Sequence, residues 1–185
     1  MKYLFLFISS FIFAQQTQSI DFVSVLGKIA INPTTKSVSG AVNYDFVVLK
    51  PIDTIKIDAQ NMDFSELKLN GKNINYQNTG KELQVIFPFK KGKNSLTFHY
   101  NASPKQTLYF VGSTATDDLQ VWTQGQGKYS SHWFPSFDDV NEKVIFNLEI
   151  TFDKNYQVIS NGSLQFKSDL DGLSVWSYRM QKPMS

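Results

Sequence analysis

The 185-residue chain carries 18 Lys and Arg against 16 Asp and Glu, and a net charge of +2 is too mild for a nucleic-acid footprint. Its 42% hydrophobic content suits a single buried core, and hence one domain. With no cysteine, disulfides, thiolate catalysis and cysteine metal sites are excluded.

At the N-terminus Met1-Lys2 precedes an apolar run from Tyr3 to Phe13, and Ala14 supplies a small residue before Gln15-Gln16. This is the pattern of a signal peptide over residues 1–14, removed on export to a periplasmic or extracellular location. The run falls short of the roughly 20 residues that cross a bilayer as a helix, so no membrane span is predicted. Residues 15–185 remain as the β-domain.

From Gln16 onward, short apolar alternations are broken by turn residues, and 16 Phe and 8 Tyr favour pleated surfaces. Ile20 to Ile31 is strand-like until Asn32-Pro33. Val38, Gly40, Val42, Tyr44, Phe46 and Val48 share one phase of a period-two pattern, so one face is expected on a core. Pro51 interrupts before Ile55 and Ile57. Leu67 and Leu69, then Asn70-Gly71, then Ile74 and Tyr76 predict a hairpin with a type I′ turn. Leu83 to Phe87, expected to end at Pro88, precedes Lys90-Lys91-Gly92-Lys93, which is expected as a solvated hairpin turn. Ser95 to Tyr100 and Leu108 to Val111 follow.

Val144, Phe146, Leu148, Ile150 and Phe152 make the longest alternation in the chain. Strands are also expected at Leu164 to Phe166 and Leu173 to Met180, with tight turns at Asn161-Gly162 and Asp171-Gly172. Together these predict an all-β, largely antiparallel sandwich.

One stretch exceeds what a scaffold needs. Between Gln120 and Phe146, the rings of Trp122, Tyr129, Trp133, Phe134 and Phe137 alternate with Thr123, Gln124, Gln126 and Ser130 to His132. Gly125 and Gly127 flank Gln126, a spacing that presents its side chain on a tight loop. Asp138, Asp139 and Glu142 are too close in sequence to straddle a sugar as a catalytic pair and suit a turn. The two histidines, His99 and His132, lack the i, i+4 spacing of a helical zinc pair.

Thr123-Gln124-Gly125-Gln126, then Trp133-Phe134-Pro135-Ser136-Phe137-Asp138-Asp139, then the strand from Phe146 to Phe152 stand in an ordered series. Val158-Ile159-Ser160-Asn161-Gly162 and Pro183-Met184-Ser185 extend it. The series resembles the zinc aminopeptidases of the aminopeptidase N and leukotriene hydrolase type, which are gluzincin metallopeptidases. Departures are Ser131 where the family commonly has arginine, Ser136 where it has cysteine, Asp139 where it has glutamate and Val140 where it has proline. Neither H-E-x-x-H nor G-x-M-E-N occurs in this sequence, so the resemblance covers the N-terminal domain alone.

What it implies is a twisted, saddle-shaped N-terminal β-domain, continued by one or more strands after Ser185 and inactive by itself. Its partners would be the N-terminus of a peptide substrate and a separate zinc peptidase domain holding the only cofactor. Gln126 would bind the peptide's free α-amino group, helped by Gly125 and Gly127 and, more weakly, by Gln124. Composition alone also permits a secreted carbohydrate-binding or adhesion module, stacking sugars on Trp122, Tyr129 and Trp133.

Overall fold

The computed structural model describes residues 16–113, 115–116, 118–126 and 129–185, so the expected signal peptide lies outside it. The strands are β1 (Ile20–Asn32), β2 (Ser37–Val48), β3 (Ile52–Asp58), β4 (Met62–Leu69), β5 (Lys72–Asn73) and β6 (Tyr76–Asn78). They continue with β7 (Glu82–Phe89), β8 (Gly92–Ala102), β9 (Leu108–Val111), β10 (Gln120–Thr123), β11 (Ile145–Asp153), β12 (Ser163–Leu170) and β13 (Leu173–Arg179). Helical structure among the described residues is confined to two 3-10 turns, Gln16–Gln18 and Ser130–His132. No helix among them is long and apolar enough to cross a membrane.

Eight strands form one sheet in the order β12-β13-β11-β1-β2-β8-β4-β5, three form a second in the order β3-β7-β6, and β9 pairs with β10. The expected phase of β2 holds: Val38, Val42, Tyr44, Phe46 and Val48 are buried. They meet Ile55, Ile57, Leu83 and Val85 from the smaller sheet in one apolar cluster, with Phe46 and Phe89 edge to face at 6.1 Å. The all-β sandwich is therefore the observed fold, and its pairing is antiparallel except between β1 and β11, which run parallel from Ser24↔Ile145 to Ala30↔Thr151.

Local turn chemistry explains the connections. Asn32 Oδ1 accepts hydrogen bonds from the N–H groups of Thr34 and Thr35 and ends β1. Asn70 and Gly71 both have positive φ, 51° and 78°, as a type I′ turn requires. The hairpin that they close is shorter than expected: Lys72 and Asn73 pair back and Ile74 N–H donates to Leu67 O at 3.2 Å before the chain leaves for the smaller sheet.

Two other expectations are corrected. Pro88 does not end β7; the strand continues to Phe89, because the β3–β7 register shifts there and leaves the proline exposed and outside the paired positions. Lys90, Lys91 and Lys93 are exposed, but their turn is not a hairpin: β7 and β8 belong to different sheets, so it is a corner between layers. Near the C-terminus the Tyr178 hydroxyl donates to Val158 O at 2.7 Å and holds the irregular segment before Asn161-Gly162.

Candidate functional site

The loop after β10 is built from behind. Gln124 N–H donates to Thr107 O at 2.9 Å, continuing the β9–β10 ladder by one step. The chain then turns through Gly125 and Gln126 and winds into the 3-10 turn at Ser130–His132. Gly125 lies close to Ser130, whose Oγ would have to rotate away from a Cβ at that position. Gln124 and Gln126 are both exposed; Gly127 lies outside the described residues.

Below the loop, Trp133-Phe134-Pro135 is an anchor. Phe134 is 2% exposed and lies across β1 where Gly27 has no side chain; a Cβ on Gly27 would approach Phe134 Cε2 to 2.7 Å. Its ring meets Tyr100 edge on at 6.0 Å. The buried Tyr44 hydroxyl donates to Pro135 O at 2.6 Å, tying the loop to β2. Tyr44→Phe is expected to leave that buried carbonyl unpaired and cost about 1–2 kcal/mol, read as a lower urea midpoint. An unchanged midpoint would show that the loop is held without this bond.

The acidic residues do structural work. Ser131 Oγ donates to Asp138 Oδ2 at 2.6 Å, and Asp138 N–H donates to Asp58 Oδ2 at 2.8 Å. Asp58 also exchanges backbone hydrogen bonds with Ser136, so the loop is stitched to the end of β3. Asp139 Oδ1 accepts from Asn141 N–H at 2.9 Å in a tight turn. Glu142 is 5% exposed, and its Oε1 accepts from Phe22 N–H at 3.2 Å. Parallel pairing of β1 with β11 begins only at Ser24, so Glu142 completes with a side chain a ladder that the backbone does not reach. Burial pushes its carboxyl up to about 7, opposed by the Phe22 N–H and assisted by Asp21 and Asp139. Burial likewise raises the Asp58 carboxyl, against the Asp138 N–H.

The three rings considered as a sugar platform each pack on a different neighbour: Trp122 on Tyr109 at 4.5 Å, Tyr129 on His132 at 5.9 Å and Trp133 on Phe134 at 5.6 Å. Beside the loop lies an apolar concavity of about 640 Å³, lined by Ile29, Phe134, Phe146, Leu148, Val158 and Met184. Trp122 and Thr123 reach its rim; Gln124 and Gln126 do not line it. Gln124, Gly125 and Gln126 thus share one loop, outside the lining of this concavity. Their supports, Gly27, Tyr44 and Asp58, were not singled out from sequence. Gly27 alone carried a local signal, a glycine inside a strand pattern, which marks close approach of another group.

Among the described residues no three His, Cys, Asp or Glu side chains cluster as metal ligands. His99 is exposed on β8 with its Nε2 3.9 Å from Glu66 Oε2, while His132 meets Gln106 Nε2 at 2.8 Å.

Comparison with known proteins places this geometry. A leucyl aminopeptidase of Saccharolobus solfataricus is 23% identical over 133 residues, 72% of this chain and 17% of that protein. A probable aminopeptidase 1 of Sulfurisphaera tokodaii is 22% identical over 109 residues, 59% of this chain and 14% of that protein. The chain therefore spans less than a fifth of either relative. Among solved structures, the M1 zinc metallopeptidase of Deinococcus radiodurans superposes with a TM-score of 0.78 at 14% identity, over 90% of this chain and 40% of that one. Native yeast LTA4 hydrolase gives 0.76 at 18% identity, over 90% and 27%. The family model of the peptidase M1 N-terminal domain matches residues 27–185, and the chain belongs to that family.

Proposed function

We propose that this domain forms one wall of the substrate cleft of an exported zinc aminopeptidase and reads the amino terminus of the peptide through Gln126. The observation that carries this is the exposed Gln126 on a loop clamped from behind by Phe134, Tyr44, Ser131 and Asp58. An amide oxygen accepts a hydrogen bond from a peptide ammonium without adding a charge of its own. Gln124, also exposed and fixed at its backbone N–H, is a second acceptor for the same end, and Gly125 keeps the loop close to Ser130.

Support comes from the relatives: both curated ones are named aminopeptidases, and a form of the Deinococcus radiodurans enzyme has been solved with a Tyr-Ser-Ala substrate. A zinc ion, when bound in such enzymes, activates water for attack on the peptide carbonyl. In this reading the metal is held by a separate peptidase domain, since no three potential ligands cluster among the described residues. Export rests on the signal-peptide pattern of residues 1–14.

In the enzyme that carries this domain, Gln126→Ala is expected to lower kcat/KM for peptides by about 10- to 100-fold, the loss of one hydrogen bond to a charged group. An unchanged value would remove Gln126 from the site.

A further inference from the structure

β12 is an edge strand of the eight-stranded sheet, and all eight of its residues are exposed. Such an edge offers unpaired N–H and C=O groups to another strand. Its two faces differ. Lys167 lies over the Trp176 ring, 4.8 Å from the centroid, and Asp169 accepts from Ser174 Oγ at 2.5 Å, so both point to the inner face; Lys167 Nζ is also 3.4 Å from Asp169 Oδ1. Period two puts Phe166, Ser168 and Leu170 on the opposite face. There Phe166 is 47% exposed and Leu170 70%.

The order Phe166-Lys167-Ser168-Asp169-Leu170 is complementary to itself when reversed. Apolar ends flank a cation and an anion placed symmetrically about a serine. We propose that β12 pairs antiparallel with β12 of a second copy, about a two-fold axis through Ser168. In that register Lys167 faces the partner's Asp169 twice, and Phe166 faces the partner's Leu170 twice, so every cross-strand contact is matched in charge or polarity.

The backbone supports the same register. Asp171 and Gly172 have φ of 47° and 83°, a two-residue type I′ turn, and Leu170↔Leu173 is the pair flanking it. That flanking pair is hydrogen-bonded, and the alternation then assigns Ser168 to β13 and turns the N–H and C=O of Lys167 and Asp169 outward. Pairing through Ser168 matches outward groups with outward groups. A register shifted by one residue would not, and it would set Lys167 opposite the partner's Ser168.

The test is sedimentation velocity of the chain over a concentration series, with charge variants. The parent is expected to dimerise, and Lys167→Asp or Asp169→Lys alone to weaken dimerisation about tenfold by setting like charges opposite each other. The doubly swapped K167D/D169K is expected to restore it, which general damage to the edge would not. Because the chain has no cysteine, Ser168→Cys provides an independent readout. Ser168 is a closely spaced, non-hydrogen-bonded pair across the axis and should cross-link between copies on mild oxidation, whereas Ser163→Cys should not. A parent that stays monomeric throughout, a double swap no better than the single variants, or equal cross-linking at 163 and 168 would overturn the proposal.

Discussion

Replacing Phe134 with alanine is expected to destabilise the domain by about 3–5 kcal/mol, the largest single-residue effect predicted for this fold. Its ring is 2% exposed and fills the space over Gly27, against Tyr100 and 6.3 Å from Phe146. Few neighbours can collapse into the void, since β1 and β11 are fixed by their own ladder beneath it. The complementary change, Gly27→Ala, pushes a methyl group into the same ring and should cost about 1–3 kcal/mol. Both would be read as urea midpoints at constant slope. A loss below about 1 kcal/mol for Phe134→Ala would mean that the loop is not seated on this residue.

Stability should fall as pH rises from about 4.5 to about 7, and Glu142 is the main cause. Its carboxyl titrates near 4.5 when unfolded and near 7 when folded, so the folded state binds the proton more tightly. The stabilisation is complete below the unfolded value and is lost as pH climbs through the folded one, by up to about 3 kcal/mol. Asp58, also raised by burial, contributes with the same sign.

Glu142→Gln keeps an oxygen to accept from Phe22 N–H and removes the charge that burial opposes. The variant should be more stable than the parent above pH 7, with a flatter profile between 4.5 and 7. A profile as steep as the parent's would assign the dependence to other groups.

The strands were largely legible because one face of each is buried: the alternation in β2 from Val38 to Val48 is a direct record of which side meets the core. Asn70-Gly71 was legible because the two positive φ angles of its turn are chemically restrictive. Pairing across long separations was not. Nothing near Val144 to Phe152 says that the neighbour is β1, some 120 residues earlier, or that it runs parallel. The role of Lys90 to Lys93 failed for the same reason, since a local turn signal does not reveal that its flanking strands join different sheets.

The site followed the same division. Gln126 and its flanking glycines stood out by composition, and the loop does present Gln126 at the surface. Tyr44 and Asp58, which hold that loop through Pro135 and Asp138, are ordinary strand residues in sequence and gain their roles only from distant partners.

The most direct measurement concerns the ligand's charge and not the rate. In the enzyme carrying this domain, inhibition constants would be compared for an amino-acid amide and for the same amide lacking its α-amino group. If Gln126 receives the peptide ammonium, Gln126→Ala weakens the amine-bearing inhibitor about 10- to 100-fold and leaves the desamino compound unchanged. Equal weakening of both, or of neither, would contradict the account.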